Sequence, residues 1–168
     1  NILFPVTSNP AIVEVIGPLT ADPGPIVHVP CFGGHTGQAT INVGGGLAPI
    51  TITWFTDPVQ YGPTATNLPA GTYVVRIQDA LGQVTETTVT INQPAAPLDA
   101  IATPTNILCH GNTNGAIAVQ VYGGTPPYSY LWNNGATTRD IANIPAGNYQ
   151  LRITDANGCE FLLNSSVL

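Results

Sequence analysis

The sequence predicts an all-β protein: two antiparallel β-sandwich modules in tandem, drawn out as an extended rod. Three observations carry that expectation. A stretch recurs, since residues 67–82 read NLPAGTYVVRIQDALG and residues 143–158 read NIPAGNYQLRITDANG, aligned without a gap 76 residues apart. Self-similarity at a fixed period marks a repeat array. Apolar residues alternate with polar ones in short runs, the period of a half-buried strand. Turn formers are dense, with 18 Gly and 16 Pro, and they interrupt every run long enough for a helix.

Taken in order, Val6-Thr7-Ser8-Asn9-Pro10 resembles Val89-Thr90-Ile91-Asn92-Gln93-Pro94, and both end in an amide residue before Pro. Residues 1–9 therefore read as the last strand of a preceding repeat, residues 10–93 as the first full repeat and 94–168 as the second. Ile12 to Ile16 is expected as a strand, Gly17 to Pro25 as irregular chain rich in Pro and Gly, and Ile26 to Val29 as a short strand. Ala39, Ile41 and Val43 alternate with polar neighbours, as do Ile50, Ile52 and Trp54, giving two more strands. Residues 56–66 read as loop or weak edge strand. Pro69-Ala70-Gly71 turns the chain into the strand carrying Tyr73, Val75 and Ile77; Asp79 to Gly82 makes a hairpin turn. A Thr-rich strand from Val84 to Ile91 closes the repeat.

The second repeat restates this order, with Ile117, Val119 and Val121 standing 78 residues after Ala39, Ile41 and Val43. The offset falls to 76 by Pro145, so the first repeat has two extra residues in the loop after its Trp. Loops absorb such insertions at small closure cost. Trp54, Tyr73, Trp132 and Tyr149 are the expected structural core. A Tyr entering a strand just after a Gly turn is also where a tyrosine corner forms. The linker around Pro94-Ala95-Ala96-Pro97 is short and Pro-rich, hence semi-rigid and extended.

Composition narrows function by exclusion. Lys is absent, Arg76, Arg139 and Arg152 face nine carboxylates, and the net charge is −6. Nucleic-acid backbones are bound through Lys and Arg, and anionic membrane surfaces likewise, so neither partner is expected. Nothing approaches 18 consecutive apolar residues, so no membrane insertion is expected. No cationic and apolar leader stands at Asn1-Ile2-Leu3-Phe4, and the chain reads as an excerpt from a longer polypeptide. A surface of Thr, Asn, Gln and Gly, with only 7% charged residues, suits an extracellular fibre.

No catalytic constellation is found. Ser8, Ser129, Ser165 and Ser166 lie outside any Gly-x-Ser-x-Gly elbow, Asp79 and Asp155 belong to different repeats, and Gly44-Gly45-Gly46 lacks the Lys of a phosphate loop. His28, Cys31 and His35 have a ligand-like spacing, but the second copy offers only Cys109 and His110 and no fourth ligand, so no metal is expected. Asp79 and Asp155 could lend oxygens to Ca²⁺. They lack carboxylates at alternating positions, and the turn reading is preferred; no cofactor is expected. Arg76 and Arg152, at equivalent outward positions, are expected to pair with a carboxylate or span the repeat interface. Phe55, Tyr61 and Tyr122 fall outside the apolar faces and are candidate contacts for a carbohydrate ligand.

The combination Cys109-His110-Gly111, Gly115, Gly123-Gly124, Pro127-Tyr128, Trp132, Pro145-Ala146-Gly147-Asn148-Tyr149 and Asp155-Ala156-Asn157-Gly158-Cys159 resembles the SprB-type repeat of large surface adhesins of gliding bacteria. The first repeat keeps Cys31, Gly33, Gly37, Gly45-Gly46, Pro49, Trp54, Pro69-Ala70-Gly71, Tyr73, Asp79-Ala80 and Gly82, and departs at Ile50 and Gln83. A looser similarity to PKD-type Ig-like domains points to the same sandwich. The resemblance implies a secreted cell-surface filament of repeats, exported across the outer membrane, that serves adhesion and gliding motility. Its partners would be neighbouring repeats, outer-membrane secretion and motility machinery, and surface polysaccharide. The alternative is an extracellular carbohydrate-binding module. The family's two Cys positions imply a bridge between Cys109 and Cys159, closing about 50 residues and contributing about 4 kcal/mol; two reduced buried thiols are the alternative. Cys31, with Gln83 in its partner's place, is expected as a small buried hydrophobe, or else bridged to another chain.

Overall fold

A computed structural model describes residues 17–109 and 111–168. The strands expected for residues 1–9 and for Ile12 to Ile16 lie outside the described residues, as does His110. The described chain is all strand and turn, with no helix.

The first sandwich contains β1 (Thr20–Val27), β2 (Gly37–Gly44), β3 (Thr51–Trp54), β4 (Gln60–Tyr61), β5 (Thr64–Leu68), β6 (Gly71–Gln78) and β7 (Val84–Ile91). One sheet runs β1-β2-β5 and the facing sheet β4-β3-β6-β7. Every pairing is antiparallel. The second sandwich contains β8 (Asp99–Thr105), β9 (Gly115–Tyr122), β10 (Ser129–Trp132), β11 (Ile141–Ile144), β12 (Gly147–Thr154) and β13 (Glu160–Val167). Its sheets run β11-β9-β8 and β10-β12-β13. The two halves share one topology, except that the loop with the two extra residues forms β4 in the first.

Period-two alternation builds each core. Ala39 and Ile41 of β2 face Val75 and Ile77 of β6 around Trp54. Ile117 and Val119 of β9 face Leu151 and Ile153 of β12 around Trp132. The two clusters are separate, so each half has its own interior. A buried indole N–H must be satisfied. Trp54 Nε1 donates to Gly62 O at 2.9 Å, and Trp132 Nε1 donates to Thr138 O, also at 2.9 Å.

Two segments depart from the expected reading. Gly17 to Pro25 is not all irregular: β1 starts at Thr20 and runs through Pro23-Gly24-Pro25. It is an edge strand, and its register shifts between Pro23 and Ile26, which is how a strand tolerates prolines that cannot donate to the ladder. Within residues 56–66, the chain forms β4 and enters β5, which pairs with β2 through another register shift. Asn67, and likewise Asn143 in β11, takes a positive φ there, a conformation Asn accepts more readily than most residues.

Candidate functional site: the joint between the two repeats

The joint is built from the outgoing end of the first sandwich and the incoming end of the second. Val29 N donates to Asn92 O at 2.9 Å, and Asn92 N donates to His28 Nδ1 at 3.1 Å. Gly33 N donates to the Gln93 side chain at 2.8 Å. The segment bearing Cys31 is thereby fastened to the start of the linker.

On the other side, the Asp155–Cys159 turn is organised by one buried carboxylate. Asp155 Oδ1 accepts from Asn157 N and Cys159 N, both at 2.9 Å, and Oδ2 accepts from Thr125 N at 2.8 Å. The linker enters beside it. Gly124 N donates to Ala96 O at 3.1 Å, and Gly123, at φ +59°, leaves no room for a Cβ against the Pro97 carbonyl. The repeated Gly-Gly is thus the seat of the incoming chain. Gly45 and Gly46 play the same part against Pro18 and Gly17.

Across the joint, Cys31 and Cys159 form a disulfide with Cα atoms 5.7 Å apart, spanning 128 residues of sequence. Asn157 Nδ2 donates to Pro30 O at 2.9 Å and to Thr125 Oγ1 at 3.0 Å. This corrects the implied Cys109–Cys159 pairing. Cys109 follows Ile107, whose N–H donates to Leu168 O at 3.0 Å, so it lies at the outgoing end of the second sandwich. Cys159 lies at the incoming end, and one module separates them. Cys109 is an exposed free thiol. Cys31 is correspondingly neither a lone buried thiol nor bridged to another chain.

The remaining candidate residues are dispersed. Trp54, Trp132 and Tyr149 are buried, while Tyr73 is half-buried at the margin of its core. Both tyrosines close a corner: Tyr73 Oη donates to Pro69 O at 2.7 Å and Tyr149 Oη to Pro145 O at 2.9 Å. Phe55 and Tyr61 are exposed on the first sandwich and Tyr122 on the second, so they form no common site. His28 serves the linker and His35 is exposed. Among the described residues no group of three or more His, Cys, Asp and Glu side chains is placed to hold a metal.

Asp79 caps the first repeat's turn as Asp155 caps the second. It accepts from Leu47 N, Leu81 N and Gln83 N at 3.1, 3.0 and 2.8 Å. Burial pushes its carboxyl up, but the backbone N–H groups of Leu47, Gln83, Leu81 and Gly82 outweigh that and hold it below the ordinary carboxylate range. The cations stay within their own repeats: Arg76 with Glu86 at 2.7 Å, Arg139 with Asp140 at 2.8 Å, Arg152 with Glu160 at 3.8 Å. Neither Arg76 nor Arg152 spans the joint.

Sequence reasoning missed Asp140. Its Oδ1 accepts from Val119 N at 2.8 Å. The matching donor in the first repeat, Ile41 N, instead bonds Pro63 O at 2.8 Å. The two residues absent from the second loop remove that carbonyl, and a carboxylate substitutes. The signal was the shift in offset between repeats.

Residues 24–57 and 101–137 match the family model described as SprB repeat. No curated protein matches the chain in sequence. Among solved structures it is similar to the N-terminal eight Ig domains of Down Syndrome Cell Adhesion Molecule isoform 1.30.30. The TM-score is 0.49 and the identity 16%, over 92% of this chain and 25% of that one, so the chain spans a quarter of that structure. It is also similar to DIP-gamma IG1+IG2 (TM-score 0.45, 10% identity, covering 90% and 97% of the two chains). Murine CEACAM1b follows at a TM-score of 0.33 and 14% identity, covering 89% and 98%. The chain carries two SprB-type repeats, one in each of its Ig-like β-sandwiches.

Proposed function

We propose that the chain is a structural length of a secreted cell-surface adhesin filament serving surface adhesion and gliding motility, and that these repeats supply reach and stiffness. The observation that carries this reading is the bridged joint. Two modules with separate interiors are fastened by a disulfide, by the Asn157–Pro30 hydrogen bond and by a short Pro-rich linker. Such a joint transmits load along a chain and offers no enclosed cleft for chemistry. A disulfide suits an oxidising, extracellular setting, and a surface with few cations has few trypsin-type cut sites. Small-angle scattering on the oxidised chain tests the arrangement: an elongated particle about two modules long supports it, and a near-spherical particle overturns it.

One observation favours a second reading. On the outward face of β4-β3-β6-β7, Tyr61 is 71% and Phe55 49% exposed. The Arg76 guanidinium lies 5.5 Å from the Phe55 ring centre, and Thr53 is in register with both Tyr61 and Arg76. Planar groups on an exposed sheet suit stacking on a sugar ring. A glycan array on the chain and on Tyr61→Ala decides it: sugar binding lost in the variant supports a carbohydrate-binding module, and an array without binding dismisses it.

A further inference from the structure

The two outgoing ends are built alike, and only one is occupied. Cys31 and Cys109 stand 78 residues apart at equivalent positions. Each is followed by the same turn, closed by Gly34 N to Cys31 O at 3.0 Å and by Asn112 N to Cys109 O at 3.1 Å. Each is preceded by the same tie to its module's last strand, Val29 N to Asn92 O and Ile107 N to Leu168 O. Even the side-chain fastening is repeated: His28 Nδ1 accepts from Asn92 N at 3.1 Å, and Asn106 Oδ1 accepts from Leu168 N at 3.0 Å.

What differs is the cover. At the joint, Val29 is buried and Cys31 half-buried, beneath the Asp155–Cys159 turn of the next module. At the far end Ile107 is only half-buried, Cys109 is exposed, and Leu108 beside it is 86% exposed.

We infer that Cys109 is the outgoing half of a second inter-module bridge. Its partner is the Cys of an Asp-x-x-Gly-Cys turn, like Asp155–Cys159, at the incoming end of a following repeat. The occupant is named by the chain's own example, since the equivalent surface at Cys31 holds that turn. The inference rests on reading the chain as part of a run of repeats. Bridging is then encoded joint by joint. The first repeat carries Gln83 where the second carries Cys159, and Gln83 Nε2 turns back to Asp79 Oδ2 at 3.2 Å, so the incoming end of the first repeat has no thiol to offer. The chemistry is thiol–disulfide exchange. Two thiols, Cys109 and the incoming Cys, each lose a proton, their sulfurs join, and the two electrons pass to a disulfide oxidant that leaves as two thiols.

The test is the full chain continued after Leu168 by a second copy of residues 94–168, folded in buffer containing oxidised glutathione. Thiols are counted after denaturation without reduction, and bridged peptides are mapped by mass spectrometry. The expected result is one thiol per chain, that of the added copy's own counterpart of Cys109, with Cys109 joined to the added copy's counterpart of Cys159. Replacing that added Cys by Gln is expected to raise the count to two and to leave Cys31–Cys159 intact. The far-ultraviolet circular dichroism of both proteins checks that the added module is folded. A folded extended chain with three thiols, or one whose added copy bridges within itself, overturns the inference. Elongation in scattering would still be read independently, so failure here leaves the filament reading standing.

Discussion

Removing the joint disulfide is expected to destabilise each module by nearly as much as it destabilises the pair. In the chain-entropy picture, a bridge acts by the loop it closes in the unfolded state. The Val29–Asn92 hydrogen bond keeps Cys31 beside the linker whenever the first sandwich is folded. If the second sandwich alone unfolds, the bridge therefore closes about 65 residues, worth about 4 kcal/mol. If both unfold, the loop is the full 128-residue separation, worth about 5 kcal/mol. The logarithm makes the two cases nearly equal. Each module has one buried Trp, so guanidinium unfolding followed by fluorescence reports on both. With a slope of about 2 kcal/mol per molar, Cys159→Ser is expected to lower the midpoint by about 2 M. Asn157→Ala removes the companion hydrogen bond but keeps the bridge, and is expected to cost only about 1 kcal/mol. Cys109→Ser is expected to change nothing. A Cys159→Ser midpoint within about 0.5 M of the parent would refute the loop argument. It would mean that the modules are already held together, or already independent, without the bridge.

Three further perturbations probe the repeats themselves, each read by the same unfolding curves. Gly123→Ala places a Cβ against the Pro97 carbonyl at a positive φ, whereas Gly135→Ala, also at positive φ, meets nothing within 4 Å. The first is expected to cost about 3 kcal/mol or more and the second about 1, and equal costs would show that the linker does not seat on the Gly-Gly pair. Asp140→Ala leaves Val119 N without its acceptor and is expected to cost about 2 kcal/mol, against under about 1 for Glu86→Ala in the exposed pair with Arg76. Asp140→Asn keeps an acceptor oxygen and is expected to recover most of the loss; no recovery would point to charge rather than the hydrogen bond. The lowered Asp79 pKa gives folding a contribution that is present above the unfolded value of about 4 and is lost as pH falls through the folded value. Asp79→Asn is expected to be less stable than the parent at pH 7 and to lose less stability on acidification below about pH 4; parallel pH profiles would remove Asp79 from the account.

How much of this was legible in the sequence depended on whether a feature is local or relational. The two interiors were legible because alternation is local: Ile117 and Val119, or Leu151 and Ile153, declare their face within a few residues. The tyrosine corners were legible for the same reason, since Pro145 and Tyr149 are four residues apart. β1 was obscured because Pro23-Gly24-Pro25 carries a strong turn signal, and only its place at a sheet edge lets it pair. The disulfide required knowing which ends of a sandwich meet. Within one repeat, the sequence order Cys109 to Cys159 suggests a closed loop. In three dimensions the β12–β13 turn bearing Cys159 lies at the end where the chain enters, and Cys109 lies where it leaves. A strand-to-strand fold reverses direction at every turn, so residues far apart in one repeat can be nearest across a joint. The pairing rule of such an array belongs to consecutive repeats rather than to one, which is why the incomplete first copy, with Cys31 and no second Cys, already contains the half that the complete copy needs.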